Sequence, residues 1–202
     1  MLDTSVIHAQ FTRLAKSYDA TSWLQNRIAD ELIDRVEMVG VVGDCLVDLG
    51  SATGYLGRSA KNKFPDKSVV EIDISLAMAS ESSKSNPSAK TLVSSAEMLA
   101  LDNESVSLVI ANMLLHWCDV SAVFSEVSRI LKVGGSFFFS TLGPDSLLEL
   151  RSAWAQADTL PHVHDFIDMH DLGDALIKAG FAEPVLDTDR LCVTYDDYMN
   201  LI

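Results

Sequence analysis

The chain has 202 residues, of which 48% are hydrophobic, and its 29 acidic and 15 basic side chains give a formal net charge of -14. This length and apolar content are enough for one hydrophobic core and favour a single domain. Because so acidic a chain is repelled by phosphate groups at long range, nucleic acid and anionic membranes are excluded as expected partners.

Targeting signals and cysteine chemistry are also limited by the sequence. No apolar stretch reaches the roughly 18 residues of a bilayer-spanning helix, and the opening residues lack the basic and apolar regions of a secretory signal. We therefore expect a cytoplasmic protein. Cys45, Cys118 and Cys192 have no CxxC spacing, which favours buried free thiols over disulfides or a metal site.

The first forty residues have a helical pattern. Apolar residues recur at nearly helical spacing from Leu24 to Val36, and they follow Ser22, a residue type that often caps helix N-termini. We expect this helix to end near Gly40, before the first strand.

Five short runs rich in β-branched or apolar residues follow, separated by polar or helix-compatible segments. They cover residues 45–50, 69–73, 91–94, 107–112 and 136–141. Strands that alternate with helices in this way predict a parallel sheet covered on both faces.

Two further helices are predicted in the second half of the chain. The first begins at Asp119 and keeps its apolar face through Leu131, with Gly134 and Gly135 as its stop. The second covers residues 172–179.

The end of this second helix also has a recognisable pattern. Gly180 followed by Phe181 is typical of a left-handed cap with its hydrophobic contact. A sixth strand is expected around residues 185–195.

A glycine-rich turn directly follows the first strand. Residues 48–54 read D-x-G-x-x-x-G, and a helical stretch over 55–63 comes next. Gly50 and Gly54 allow backbone to approach a ligand closely, with Ser51 between them. The carboxylate of Asp48 is placed to accept a hydrogen bond from the amino group of a methionyl moiety, although a plain strand-to-helix connection has the same pattern.

An acidic residue ends the next strand. Asp73 stands 23 residues after Gly50, where a carboxylate can accept from the two ribose hydroxyls of an adenosine-containing ligand. The glycine turn and this carboxylate together predict a nucleoside site.

The adenine end of such a ligand has its own candidates. Ser95, next to Ala96 after the third strand, offers a side-chain oxygen to the adenine amino group, and Ile74 and Met78 are placed to enclose the ring. Taken alone, Met78 is more typical of a core residue.

These segments resemble the class I S-adenosylmethionine methyltransferases, and within them the malonyl-acyl-carrier-protein O-methyltransferases of biotin synthesis. The resemblance rests on AKSYDA (15–20), DLGSATGYL (48–56), GPDSLLELR (143–151) and FIDMHDLGDALIKAGF (166–181). Related mitochondrial assembly factors that hydroxylate arginine are similar to the same segments.

The resemblance implies an α/β fold, a Rossmann-like doubly wound and mostly parallel sheet. It also implies one methyltransferase domain over 1–202. Residues 1–40 would form an N-terminal helical lid, 41–145 the cofactor-binding core, and 146–202 the substrate-side helices and last strand. The family continues with a final antiparallel strand beside the fifth, which we expect to be missing here.

The implied reaction moves a methyl group from S-adenosylmethionine to the free carboxyl of malonyl-acyl carrier protein. That carboxylate is ionised at neutral pH, so the enzyme aligns it rather than deprotonating it. By resemblance Tyr18 closes over the cofactor as a catalytic residue with His116, while Asn112 and Trp117 line the methyl site and Arg151 pairs with the substrate carboxylate.

Simpler interpretations of these side chains remain open. Trp117 is also compatible with a core aromatic, His116 with a cap or surface histidine, and Arg151 with a solvated helix face. His162, His164 and His170 have a spacing that a metal site would use, but the resemblance gives their segment a structural role without metal.

Four positions depart from the family pattern. Ala52 and Glu71 replace usual glycines, and Ser95 and Ser107 replace usual aspartates. Glu71 shares the strand face of Asp73 and is expected to add a like charge beside the ribose site. These changes predict weakened cofactor binding. They also leave open a truncated, inactive protein that acts through a partner, or a relative with another substrate.

The acidity of the chain conflicts with an acidic carrier as its partner. The densest basic cluster follows the glycine turn, and we expect it to form the local docking patch. It consists of Arg58, Lys61, Lys63 and Lys67.

Overall fold

A computed structural model describes residues 4–40, 43–160 and 162–195. Its centre is a five-stranded sheet in the order β3-β2-β1-β4-β5, in which every neighbouring pair is parallel. The strands are β1 Cys45–Leu49, β2 Ser68–Asp73, β3 Lys90–Val93, β4 Val106–Asn112 and β5 Leu131–Ser140. The five predicted strands and their parallel arrangement are confirmed.

Helices connect and cover these strands. They are α1 Thr4–Leu14, α2 Tyr18–Thr21, α3 Trp23–Val39, α4 Tyr55–Lys63, α5 Leu76–Ser85, α6 Val120–Ile130, α7 Leu148–Ala157 and α8 Met169–Lys178, with a short 3-10 turn at Leu115–Trp117. No helix among the described residues is both long and apolar enough to cross a membrane.

The core forms two layers because successive side chains of a buried strand point to opposite faces. On β4, Leu108 and Ile110 pack with α3 and α4, whereas Val109 and Ala111 pack with α6 and α8. The sheet is therefore doubly wound, as the sequence predicts.

Helix α3 ends as expected but begins differently. Gly40 takes the left-handed conformation (φ +68°) and its N–H donates to Val36 and Glu37 carbonyls, 3.1 Å each. Ser22 occupies the N-cap position, but its backbone (φ -86°, ψ 25°) is not extended and its hydroxyl makes no cap bond. The predicted side-chain cap is thus wrong.

Helix α6 ends at Ile130, earlier than its apolar pattern predicts. Asp119 caps its start by accepting from the N–H of Ser121 and of Ala122. Leu131 is extended and pairs with Val106 of β4, so the sheet takes over the chain where the helix was expected to continue.

The two glycines predicted to stop this helix have another role. Gly134 and Gly135 lie inside β5, beside an irregular register. A Cβ at Gly135 would stand 2.9 Å from the Lys132 carbonyl oxygen and 3.1 Å from that of Ser107. Position 135 therefore needs a glycine, because neighbouring backbone carbonyls in the sheet leave no room for a Cβ.

The end of α8 has the predicted cap. Gly180 has φ +92°, and the Phe181 N–H donates to the Leu176 carbonyl at 3.1 Å. Phe181 then packs on Phe124 and Phe137, with ring centroids 6.3 and 5.8 Å apart.

The sixth strand expected over 185–195 is not formed. Side chains hold this segment instead: Leu186 packs on the core, Asp187 pairs with Arg35 at 2.8 Å, and Arg190 pairs with Asp145 at 3.3 Å. Strand β5 therefore has no neighbour on its outer side within the described residues. The expected absence of the family's final antiparallel strand stays a prediction, because residues after 195 lie outside what the structure describes.

Candidate active site

The glycine turn joins β1 to α4 at the carboxyl edge of the sheet. Gly50 (φ +76°) and Gly54 (φ +82°) are left-handed, and the N–H groups of Gly50 and Ser51 donate to the Ile72 carbonyl at 2.8 and 3.0 Å. Leu114 packs so closely on Gly50 that a Cβ there would lie 2.8 Å from its Cδ1. The connections that follow the neighbouring strands β1 and β4 thus meet at this edge, which is where open α/β sheets have their ligand crevice.

Asp73 closes this crevice from the end of β2. Its Oδ2 accepts from the Ala52 N–H at 2.9 Å and its Oδ1 from the Ser75 N–H at 2.8 Å. Each carboxylate oxygen keeps a second lone-pair direction for a further donor. Burial raises the pKa of Asp73, and these two amides oppose that rise.

Ala52 provides one of those amides from a strained backbone. Its φ of +46° lies in the left-handed region, which costs an L residue about 1–2 kcal/mol. This position usually has a glycine in the family, so the sequence already predicted a backbone cost for Ala52. In the structure Ala52 has this strained conformation and also donates its N–H to Asp73.

Asp48 lies beneath the turn rather than in the crevice. It is 1% exposed, and its Oδ2 accepts from the Gly57 N–H at 2.9 Å. Burial, and then the charge of Glu71, raise its pKa well above the usual range. This position does not support the predicted contact with a methionyl amino group, because the carboxyl faces the start of α4.

Glu71 does not lie beside the ribose position, contrary to expectation. Its side chain is fully buried between α4 and α5, where it accepts from the hydroxyl of Ser82 and from Asn86 Nδ2 at 2.7 Å. Burial raises its pKa. The extra carboxyl occupies space that Gly57 leaves open, since a Cβ on Gly57 would stand 2.2 Å from Glu71 Oε1.

The predicted adenine contacts have mixed outcomes. Met78 is fully buried on α5 and belongs to the core, so its assignment as a ring contact is wrong. Ile74 and Ala96 are half-buried near the crevice, and the Ser95 hydroxyl accepts from the Glu97 N–H at 3.2 Å. Ser95 keeps its own hydroxyl hydrogen for another partner.

The N-terminal helices α1 and α2 are hydrogen-bonded to the glycine turn and to the start of α5. Asp19 of α2 accepts from the hydroxyl of Thr53 in the glycine turn, and Thr12 of α1 is hydrogen-bonded to Ser75 at 3.2 Å. Between them Tyr18 is half-buried, and this desolvation together with the charges of Asp73 and Asp19 raises its pKa to about 12. The Tyr18 hydroxyl is therefore a permanent donor at physiological pH.

An aromatic cluster joins this lid to the rest of the site. Trp117 is its centre: the Phe11 ring meets it edge-on at 5.6 Å, His164 at 5.7 Å, and His116 lies 5.0 Å away. Phe166 packs on His116 at 6.0 Å. Three separate chain segments therefore meet at the predicted methyl site.

His116 is a neutral side chain in this cluster. Burial, with a further contribution from His164, lowers its pKa to about 4. Its Nδ1 is 3.5 Å from the Thr141 hydroxyl. A pocket of about 340 Å³ opens beside it, lined by residues 115–116, 118–121 and 165–167.

Asn112 and Arg151 have structural partners. Asn112 donates to the Gln25 carbonyl and accepts from the Ser140 hydroxyl, both at 2.8 Å, so it ties β4 to α3 and β5. Arg151 donates to the His164 carbonyl at 2.9 Å, with its guanidinium 6.0 Å from the Phe166 ring. Arg151 therefore does not lie on a solvated helix face, and its pairing with a substrate carboxylate stays a prediction.

The remaining histidines do not converge. His162 stacks on Trp154 at 3.9 Å, and His170 bonds Asp168 at the start of α8. Within the described ranges no group of three or more His, Cys, Asp or Glu side chains is arranged to hold a metal. Cys45 and Cys118 are half-buried and Cys192 is exposed, so the expectation of buried thiols is wrong for Cys192.

The basic cluster predicted as a docking patch is occupied by internal bonds. Arg58 donates to the Thr53 carbonyl at 2.7 Å, Lys61 to the Pro65 and Lys67 carbonyls, and Lys63 pairs with Glu37 at 2.6 Å. Lys67 donates to the Gly43 carbonyl. These bonds hold turns of the chain and, at Lys63, join α4 to α3. Docking at this cluster stays a prediction.

Several site residues are absent from the sequence prediction. Phe11, Asp19, Thr53, His164 and Phe166 all contact predicted site residues. Asp19 directly follows Tyr18 in AKSYDA and was within reach of sequence reasoning. The others meet only through the tertiary fold.

A parallel sheet in this order, with a glycine turn after β1 and an acidic residue after β2, defines a class I S-adenosylmethionine-dependent methyltransferase. Comparison with known proteins agrees, since residues 47–139 match the family described as "Methyltransferase domain".

Two bacterial relatives are similar over the whole chain. A malonyl-[acyl-carrier protein] O-methyltransferase of Gallionella capsiferriformans is 37% identical over 100% of this chain and 73% of the relative. One of Nitrosospira multiformis is 35% identical over 100% and 72%. The chain belongs to the malonyl-[acyl-carrier protein] O-methyltransferase family.

Solved structures support the fold. Geranyl diphosphate C-methyltransferase from Streptomyces coelicolor, solved with Mg²⁺, geranyl diphosphate and S-adenosylhomocysteine, has a TM-score of 0.61 at 21% identity. The likeness covers 76% of this chain and 60% of that one.

Proposed function

We propose that this protein transfers the methyl group of S-adenosylmethionine to the free carboxyl of malonyl-acyl carrier protein. The observation that carries the proposal is one cluster of uncharged side chains, in which Phe11 contacts both Tyr18 and Trp117, and Trp117 contacts His116. Tyr18 is also close enough to Asp73 for that carboxylate to raise its pKa. The family membership gives the acceptor, and the site chemistry fits it.

The crevice suits the cofactor. The backbone of Gly50, Ser51 and Gly54 would hold its methionyl part, and the spare lone pairs of Asp73 would accept from the ribose hydroxyls. Ile74, Ser95 and Ala96 would contact the adenine. When bound, S-adenosylmethionine supplies an electrophilic methyl group on a sulfonium.

The acceptor needs orientation and no base. A malonyl carboxylate is already ionised at pH 7, and neither predicted catalytic residue is set up to remove a proton. The protonated Tyr18 hydroxyl and a neutral His116 N–H can each donate a hydrogen bond that fixes the carboxylate. Their neutrality leaves the negative charge on the acceptor available for attack.

The aromatic cluster excludes water around these donors. Phe11 and Trp117 close the site from the lid side, and Phe166 closes it from the C-terminal side. Exclusion of water strengthens each polar contact and holds the reactants in line. Arg151 and Asn112 serve as positioning residues, because both are bonded to the backbone that carries or supports this cluster.

The test is methyl transfer observed by intact-protein mass spectrometry. Malonyl-acyl carrier protein is expected to gain one methylene mass with S-adenosylmethionine, whereas acetyl-acyl carrier protein, which lacks the free carboxyl, is not. Methylation of neither carrier by protein shown by calorimetry to bind S-adenosylmethionine would overturn the proposed acceptor. Failure to bind S-adenosylmethionine at all would overturn the enzyme itself.

A further inference from the structure

The start of the N-terminal lid has a charge unlike the rest of the molecule. Residues 4–21 contain two permanent cations, Arg13 and Lys16, and one carboxylate, Asp19, while the whole chain carries -14. Asp19 is bonded to the Thr53 hydroxyl. The net charge of residues 4–21 is therefore positive, whereas the whole predicted lid over 1–40 is acidic.

Most other cations in the molecule are paired. Within residues 4–40, 43–160 and 162–195, only Arg13, Lys16, Lys90 and Lys178 among the lysines and arginines make no hydrogen bond or ion pair. Lys90 begins β3, so it lies at the sheet edge opposite the site, and Lys178 ends α8. Only Arg13 and Lys16 stand at the lid.

These two cations are close in the chain to residues that contact the candidate site. Arg13 follows Thr12, which bonds Ser75, and Lys16 precedes Tyr18 by two residues. Both are exposed, and Leu14 between them is 47% exposed. An exposed leucine flanked by two cations can meet an acidic partner through apolar contact and complementary charge.

We propose that Arg13, Leu14 and Lys16 form the docking surface for the acidic acyl carrier protein. This inference rests on the proposed function. A carrier bound to the outside of the lid would deliver its thioester arm to the crevice under Tyr18. Charge complementarity selects this surface, because the other lysines and arginines near the glycine turn are engaged internally.

The experiment compares charge reversal at this surface with reversal elsewhere. The variant is Arg13→Glu with Lys16→Glu, and the matched control is Lys90→Glu with Lys178→Glu, which makes the same change in net charge. Each is assayed at about 0.15 M salt with malonyl-acyl carrier protein and with malonyl-pantetheine, a small acceptor that needs no docking surface.

The lid variant is expected to raise KM for the carrier substrate by about tenfold or more, with kcat and the rate on malonyl-pantetheine unchanged, since rim charges act mainly on encounter. The control variant is expected to behave like the wild type. Equal losses on both acceptors, or equal effects in the two variants, would overturn the docking surface.

Direct binding separates this inference from the proposed reaction. Titration of the wild type with unloaded acyl carrier protein, followed by NMR, does not require turnover. Binding that is lost in the lid variant and kept in the control would support the surface even if no methylation occurred. No binding by the wild type, or equal binding by the lid variant, would refute it.

Discussion

The Glu71 side chain fills the space that the missing Cβ of Gly57 leaves open. The effect of Gly57→Ala on stability should therefore have opposite signs with and without the Glu71 side chain. In the wild type, Gly57→Ala places a Cβ 2.2 Å from Glu71 Oε1, 2.9 Å from Cδ and 3.0 Å from Cγ. Glu71 has little freedom to move away, because it is fully buried and accepts from Ser82 and Asn86. We expect Gly57→Ala to destabilise the wild-type protein.

The magnitude follows from two opposing effects. Overpacking of a filled site costs about 1–3 kcal/mol, whereas replacing glycine by alanine inside a helix gains about 1 kcal/mol when space is free. Glu71→Ala removes the atoms that the new Cβ would strike. Gly57→Ala is then expected to stabilise the Glu71→Ala background by about 1 kcal/mol, so the same substitution changes sign.

The assay is a double-mutant cycle by urea and thermal unfolding. Because Glu71→Ala also leaves Ser82 and Asn86 without their acceptor, only the difference between the two backgrounds is informative. For a protein of this size, each kcal/mol corresponds to a midpoint shift of about 2–4 °C. Equal effects of Gly57→Ala in both backgrounds would refute the compensation.

Two further predictions concern the site. Asp73→Asn removes a charge from a carboxyl held by two amides, and we expect S-adenosylmethionine affinity measured by calorimetry to fall about tenfold or more, while the exposed control Asp66→Asn leaves it unchanged. His116 has a folded pKa of about 4 against an unfolded value near 6.5, so the unfolded chain binds more protons between these values and stability falls as pH falls through that window. Relative to His116→Gln, the wild type is expected to lose about 3 kcal/mol from pH 6.5 to pH 4 in chemical unfolding; parallel stability curves would contradict a buried neutral imidazole.

The elements that sequence predicts best are those with strong local signals. Strands β1 to β4, helix α4 and the Gly180 cap each carry their own apolar pattern or glycine, and all are found within a residue or two of expectation. The end of α6 was missed because Leu131 continues the helical pattern, and only pairing with Val106 makes it a strand. At Leu131 strand pairing with β4 therefore outweighs the local preference for helix.

The site shows the same division. Asp73 and the glycine turn are adjacent by topology, which sequence order and strand pattern are enough to predict. Glu71 was misplaced because its partners, Ser82 and Asn86, come from the end of α5 and are found only in the folded chain. Met78 was misplaced because it lies on the buried face of α5. The lid contacts of Phe11 and Asp19 join segments that are far apart in the chain.

The charge of this protein illustrates why a sum over the sequence is a poor guide to partners. A net charge of -14 suggests that an acidic carrier would be repelled. At physiological ionic strength, however, the screening length is about 8 Å, so a docked partner responds to charges near the contact. The density of basic residues along the sequence favoured the cluster from Arg58 to Lys67. That density does not reveal which of these cationic side chains already donate to acceptors within the chain. What matters is the cations left unpaired after folding, and beside the catalytic crevice those are Arg13 and Lys16.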